Sequence, residues 1–226
     1  MKQVVIVSAT QSKTLEEFYN RPLYKSLYKL DLLYSDGQKL FDFKISKDNK
    51  TGLSKVYNSY LNNLEHKNKI LLFVHDDVEI NDFYLVEKLN ESPYVVTGLA
   101  GAKKIDLNKP SAWHLMSNRE DWVGEVTHFA DGQEWTSVFG PSKSRALVID
   151  GLFIAVDVDK AFEKGLNFDE DFDFHHYDLS FCLHCNEKKA SVGVLPIKVT
   201  HHGLGDSMNT PEWHSSATKF REKFNK

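Results

Sequence analysis

The chain has 226 residues, 41% of them hydrophobic and 27% charged, proportions of an ordinary globular domain rather than of a disordered or fibrous chain. Twenty-eight Lys and Arg against 32 Asp and Glu leave a net charge of −4, so there is no basic footprint to suggest a nucleic-acid polymer as partner. The two cysteines, Cys182 and Cys185, stand three apart and cannot build a disulfide framework, which fits a reducing, cytoplasmic setting.

In chain order, Gln3–Ala9 reads as a first strand, with too short an apolar run for a signal peptide. Thr14-Leu15-Glu16-Glu17 is a capping-box pattern that opens a short helix. Residues 41–45 form a second predicted strand. Leu53, Val56, Tyr57, Tyr60, Leu61 and Leu64 recur at helical spacing and predict a helix over residues 52–65. Residues 70–74 form an all-apolar, buried strand, residues 82–89 a helix, and residues 94–99 a strand ending in the Gly98-Leu99-Ala100-Gly101 turn. Residues 102–145 hold Trp113, Trp122 and Trp135 among Gly, Ser, Asn and Asp, a composition of loops and short strands. Beyond them come a strand over 146–156, a short helix over 159–164 stopped by Gly165, a longer helix over 178–188 and a last strand over 192–200. His201-His202-Gly203-Leu204-Gly205 and a polar C-terminal tail complete the chain. The longest apolar stretch, residues 146–158, is interrupted by Asp150 and Asp157 and is too short to span a bilayer. This alternation predicts an α/β fold, a mostly parallel sheet flanked by helices, in a single domain 1–226 with halves 1–101 and 102–226.

Ligands of open α/β sheets collect outside the carboxyl ends of the strands, where His75-Asp76-Asp77 follows the apolar strand 70–74. Two adjacent carboxylates there repel each other unless one binds a cation or faces solvent. A divalent cation shared with a diphosphate would remove that repulsion with few protein ligands. The plainer reading is a solvated turn. Asp178 stands at a helix start, where a cap and a general base are both plausible roles. Of the adjacent His201 and His202, at most one can face a shared ligand. Cys182-Leu183-His184-Cys185, even with His175 and His176 nearby, lacks the second matched pair of a structural zinc site, and Asp169, Glu170, Asp171 and Asp173 read as a solvated turn. The sequence contains neither Gly-x-Gly-x-x-Gly nor a Walker loop, which argues against a dinucleotide oxidoreductase or a P-loop kinase.

Taken in order, residues 4–8, Gly52-Leu53-Ser54-Lys55-Val56-Tyr57-Asn58, Phe73-Val74-His75-Asp76-Asp77-Val78, Asp150-Gly151-Leu152-Phe153-Ile154-Ala155, Phe168-Asp169-Glu170 with His176-Tyr177-Asp178, and Val199-Thr200-His201 resemble the GT-A glycosyltransferases. The resemblance is to family-2-like inverting members, in a bacterial branch with a His-x-Asp form of the metal motif. It implies a metal-dependent, inverting, hexosyltransferase-type enzyme using Mn²⁺ or Mg²⁺. Such an enzyme moves a sugar from a UDP- or GDP-type nucleoside-diphosphate sugar to a glycan, a lipid-linked acceptor or another hydroxyl, in surface polysaccharide synthesis. On the same basis Asp77 and His201 are metal ligands and Asp178 the general base, while Ser8, Ala9, Thr10, Asn58, His75 and Asp76 surround the nucleotide sugar. Asp150 and Gly151 approach the acceptor. By their chemistry, Trp113, Trp122 and Trp135, the last above all, are candidate apolar platforms for a sugar ring, with local cores the equal alternative. Residues 1–101 are then the nucleotide-sugar half and 102–226 the acceptor and catalytic half. Such enzymes work in the cytoplasm or at the inner face of a membrane, as homodimers or beside other glycan-synthesis proteins. Three rival readings stand beside this one. A nucleotidyltransferase would need a basic triphosphate grip where only Lys13 and Arg21 stand. A two-metal hydrolase would be built from His75, Asp76, Asp77, His201 and His202, and a catalytically silent sugar-nucleotide-binding protein would keep the fold without the reaction.

Overall fold

The structure, a computed structural model, describes residues 1–34, 41–203, 208 and 210–225. Strand β1 (Gln3–Ala9) is followed by helices α1 (Leu15–Tyr19) and α2 (Pro22–Tyr34), strand β2 (Phe41–Ser46) and helix α3 (Leu53–Leu61). Strands β3 (Lys69–Val74) and β4 (Val78–Ile80), helix α4 (Leu85–Asn90) and strands β5 (Val96–Gly98) and β6 (Ala100–Ala102) come next. The hairpin β7 (Trp122–Ala130) and β8 (Gln133–Val138) leads to β9 (Ser144–Ala146), β10 (Val148–Ile149) and β11 (Phe153–Asp157). Helices α5 (Val158–Glu163) and α6 (Tyr177–Glu187), strands β12 (Val192–Val194) and β13 (Val199–His201) and helix α7 (Pro211–Phe224) complete the order.

The main sheet runs β2-β1-β3-β11-β5-β12-β9. Its centre is apolar on both faces: Val4 to Val7 of β1 and Leu71 to Val74 of β3 are fully buried, as strands covered on both sides must be. The sheet is mixed rather than mostly parallel. β1 pairs in parallel with β2 and β3, but β11 runs antiparallel to both β3 and β5. A second sheet, β10-β6-β7-β13-β4 with β8 on β7, stands beside it. Strands from both sequence halves enter both sheets, so the halves 1–101 and 102–226 are interleaved in space.

Several expected elements are divided differently. The run 146–156 is divided into three: Ala146 ends β9 in the main sheet, β10 lies in the second sheet, and beyond the turn at Asp150-Gly151 the chain returns to the main sheet as β11. Pro196 lacks the N–H that a ladder requires, and the expected strand 192–200 accordingly splits into β12 and β13, again in different sheets. Gly98-Leu99-Ala100-Gly101 is a crossing from the main sheet to the second, not a turn. The predicted helix 52–65 ends at Leu61 and resumes as a single tight turn, Leu64–His66. In α1 the Thr14 hydroxyl accepts from Glu17 N–H at 3.1 Å, while the Glu17 carboxylate caps Lys13 N–H at 2.6 Å.

Two helices went unforeseen. Leu23, Leu27 and Leu30 give α2 its buried stripe at i, i+4 and i+7. The C-terminal segment is not a polar tail but the 14-residue α7, begun by the Thr210 cap and Pro211, with Ala217 and Phe220 buried. Phe220 packs on Phe172, Phe224 and His176, which ties the chain end to the loop before α6. Among the described residues no helix is long and apolar enough to cross a membrane. Replacing Phe220 by Ala should lower unfolding free energy by about 3–5 kcal/mol in denaturant melts; a loss below about 1 kcal/mol would contradict an integral α7.

Candidate active site

The three residues after β3 have different partners. His75 Nε2 lies 2.9 Å from the Tyr177 hydroxyl, which itself donates to the Gly151 carbonyl at 2.9 Å. With that hydroxyl proton directed at the Gly151 carbonyl, the matching tautomer of His75 donates from Nε2 and keeps its lone pair on Nδ1. Asp76 accepts from Arg21 Nη2 at 2.9 Å and from the Thr10 hydroxyl, so it fastens the β1 tip and the start of α2 to the end of β3. Asp77 Oδ2 lies 3.5 Å from His201 Nε2, and its Oδ1 is buried without a hydrogen-bond partner. Burial pushes the Asp77 carboxyl up, but the His201 hydrogen bond and the charges of His75 and His201 outweigh it and hold the pKa below the ordinary value. Burial opposes charge on His201 too, yet Asp77 holds that imidazole above its ordinary pKa.

The opposite wall begins at α6. His176, buried and in the left-handed region at φ 62°, turns the chain into the helix and bridges Ser111 at 2.9 Å and Ser216 at 2.8 Å. Burial pushes its pKa down to about 4, so the bridge holds as a neutral ring. Asp178 follows in the first turn, where a carboxylate faces the positive end of the helix dipole. Its Oδ2 accepts Gly151 N–H at 2.9 Å. Burial, and next the charge of Asp150, push its pKa up to about 7. Asp150 accepts from Trp113 Nε1 at 2.9 Å and from Leu152 N–H at 3.0 Å. Gly151 is required where it stands: a Cβ there would come within 2.8 Å of Tyr177 Cζ.

Asp77, His201, Asp150 and Asp178 all line one cavity of about 690 Å³, whose apolar wall includes Trp113, Trp122, Phe139 and Trp213. A second hollow of about 260 Å³, lined by Ala9, Thr10, Arg21, Asn49 and Asp76, shares His75 and Asp77 with the first. Asp77 therefore stands where a ligand in the smaller hollow would meet one in the larger.

Among the residues expected from sequence, Ala9, Thr10, His75, Asp76, Asp77, Asp150, Gly151, Asp178 and His201 are brought to these hollows. Three are not. Ser8 is fully buried and lines neither hollow. Asn58 spends its amide on Phe168, accepting its N–H at 2.8 Å and donating to its carbonyl at 2.9 Å, and it also donates to Glu170 at 3.0 Å. It pins the 168–173 loop to α3 and lines neither hollow. Trp135 is 42% exposed on β8 and stacks on His128 outside the cavity. His202 pairs with Glu79 at 2.8 Å, which leaves His201 beside Asp77. Cys182 and Cys185 are buried free thiols, and among the described residues no group of three or more His, Cys, Asp or Glu could hold a metal by itself. Of the loop from Gly203 to Asp206, residues 204–206 lie outside the described residues.

Sequence reasoning missed Trp213, His128 and Phe174 as lining residues. The Thr210-Pro211 pair is a helix-start signal that could have recovered Trp213. Replacing Asn58 by Ala leaves the buried Phe168 N–H and carbonyl unpaired, and should cost about 1–3 kcal/mol of stability in thermal melts. Nucleotide affinity, read by calorimetry, should be unchanged.

The profile described as "Glycosyltransferase like family" matches residues 16–224. No curated protein sequence matches the chain. Among solved structures, A197 from STIV aligns at 15% identity and a TM-score of 0.51, over 87% of this chain and 82% of that one. A structure of GalNAc-T7 with UDP, GalNAc and Mn²⁺ aligns at 13% identity and a TM-score of 0.52, over 98% of this chain and 48% of that one. With a family match over most of its length, the chain belongs to the glycosyltransferase-like family, and its mixed α/β architecture is the GT-A fold of glycosyltransferases.

Proposed function

We propose that this chain is a metal-dependent, inverting glycosyltransferase that uses a nucleoside-diphosphate sugar, with Asp77 and His201 as metal ligands and Asp178 as general base. The observation that carries this reading is the single cavity holding the Asp77–His201 pair and, separately, a carboxyl raised to about pKa 7.

The residues fit Mn²⁺ or Mg²⁺. Asp77 Oδ1 is an orphaned acceptor with an imidazole beside its other oxygen. Two protein ligands suffice for cations that take the rest of their shell from phosphate and water. When bound, the cation offsets the charge that develops on the departing diphosphate. A structure of the same fold, GalNAc-T7, contains UDP, GalNAc and Mn²⁺ together, which supports reading this site as one for a nucleotide sugar and a divalent cation. In this reading the smaller hollow takes the nucleotide, where Thr10 and Arg21 hold Asp76 still. The donor sugar lies past Asp77 in the larger cavity.

Asp178 then acts on the acceptor. Its carboxylate takes the proton from the attacking hydroxyl as the new bond forms at the anomeric carbon. The bond to the diphosphate breaks on the opposite face, which inverts configuration. A pKa near 7 lets a carboxylate accept that proton far more readily than an ordinary aspartate at about 4. The Gly151 N–H and the α6 terminus fix the carboxylate in place. His75 supports it indirectly through Tyr177, whose hydroxyl is tied to the Gly151 carbonyl. Surface polysaccharide synthesis in the cytoplasm or at a membrane face, on a glycan or lipid-linked acceptor, is the setting this chemistry suits.

Asp178→Asn should lower kcat by about 10²–10⁴-fold while leaving calorimetric binding of UDP or GDP with Mn²⁺ intact. Full transfer by that variant would remove Asp178 as base. Because the reactive form is the carboxylate, kcat should rise about tenfold per pH unit below pH 7 and level off above it. The same group acts oppositely on stability. Its folded pKa of about 7 lies above the ordinary value of 3.8, so the folded state binds the extra proton and this contribution is lost as pH rises from about 4 to 7. Asp77→Asn or His201→Ala should abolish the Mn²⁺-dependent part of nucleotide binding. Equal binding with and without Mn²⁺ in the native protein would sink the metal-dependent reading.

A further inference from the structure

The larger cavity is unusual in charge. Its lining includes three carboxylates, Asp77, Asp150 and Asp178, and among the described residues no Lys or Arg. Between Gly203 and Met208, which line the cavity, the sequence Leu204-Gly205-Asp206-Ser207 contains no Lys or Arg. Arg119 comes near, over the Trp122 ring at 4.7 Å, but its guanidinium donates to the carbonyls of Val138, at 2.7 Å, and of Phe139. It is not a lining residue.

The apolar side of the cavity is an assembled aromatic wall. Trp113 meets Trp122 edge-on at 5.6 Å and Phe139 edge-on at 5.0 Å. Its indole N–H is fixed by Asp150, so the wall is oriented by one of the acids it faces. Trp213 adds a further ring from α7. Aromatic surface beside a few fixed acceptors is what a sugar ring needs: apolar contact for its C–H face and hydrogen-bond acceptors for its hydroxyls.

We infer that the acceptor is an uncharged sugar residue packed on the Trp113–Trp122–Phe139–Trp213 wall, and that Asp150 and Asp178 exclude acceptor rings bearing a carboxylate or phosphate. This rests on the reading that Asp178 activates the acceptor. A cation at Asp77 and His201 offsets the donor's diphosphate, but no positive side chain remains for a second anion. Placing one there puts like charges together in a partly dehydrated space, which is a strong negative selector. A lipid diphosphate attached to the acceptor must then stay outside the cavity, with only its sugar entering.

The test uses matched pairs of methyl glycosides, glucoside with glucuronide and galactoside with galacturonide, titrated against the native protein by tryptophan fluorescence and ligand-observed NMR. UDP binding with Mn²⁺ is measured in parallel by calorimetry. At least one neutral glycoside should bind, and at least tenfold more tightly than its uronide. Asp150→Asn should narrow that ratio, and added salt should narrow it further. A uronide that binds as tightly as its neutral partner would overturn the inference. So would failure of all four glycosides to bind while UDP still binds with Mn²⁺. A neutral preference without metal-dependent nucleotide binding would support the acceptor assignment and overturn the donor reading instead.

Discussion

The site depends on the contact between Gly151 and Tyr177. At that point the turn between β10 and β11 touches the start of α6, and the absence of a side chain on Gly151 lets the phenol lie against the backbone. Three hydrogen bonds converge there: Tyr177 to the Gly151 carbonyl, Gly151 N–H to Asp178, and His75 to Tyr177. The backbone adds a fourth tie, His75 N–H to the Leu152 carbonyl at 3.2 Å. Segments more than 70 residues apart in sequence are thereby held to one geometry, and the strand tip bearing Asp77 faces the helix bearing Asp178.

The cost of this arrangement is electrostatic. Three acids share a cavity with histidines and aromatic rings but no fixed cation among the described lining residues. The protein distributes the strain in three ways. His201 is drawn toward its protonated form by Asp77, Asp150 is stabilised by indole and amide donors, and Asp178 is pushed toward its neutral form. A polar network of this kind is stable only when its members are satisfied. The orphaned oxygen of Asp77 and the unpaired indole N–H of Trp122 are exceptions, and the first marks an acceptor left open to a cation.

Much of this was legible in the sequence, and the misses have physical reasons. The apolar strand before His75-Asp76-Asp77 identified the sheet tip, because a strand buried on both faces has a composition few other elements share. Asp77, Asp178 and His201, singled out by their order in the chain, line one cavity. Sequence did not reveal that Asp76 would be spent on Arg21 and Thr10, or Asn58 on the Phe168 backbone, since both bonds form only once distant segments meet. Nor did a continuous apolar run over 146–156 betray that it leaves the main sheet at β10 and returns to it at β11. Turns inside apolar runs leave little compositional trace when, as at Asp150-Gly151, the turn residues also belong to a motif. The C-terminal helix was missed because its polar face outnumbers its few buried residues, although its Thr-Pro start was readable.

The central claim is that Asp77 and His201 hold a cation that the donor's diphosphate shares. Anomalous diffraction from crystals grown with UDP and Mn²⁺ addresses it most directly. The account predicts a single strong manganese peak within bonding distance of the Asp77 carboxylate, His201 Nε2 and the diphosphate oxygens. A peak at Glu79 and His202 or at the Asp169–Asp173 loop, or bound UDP with no peak beside Asp77, would contradict it.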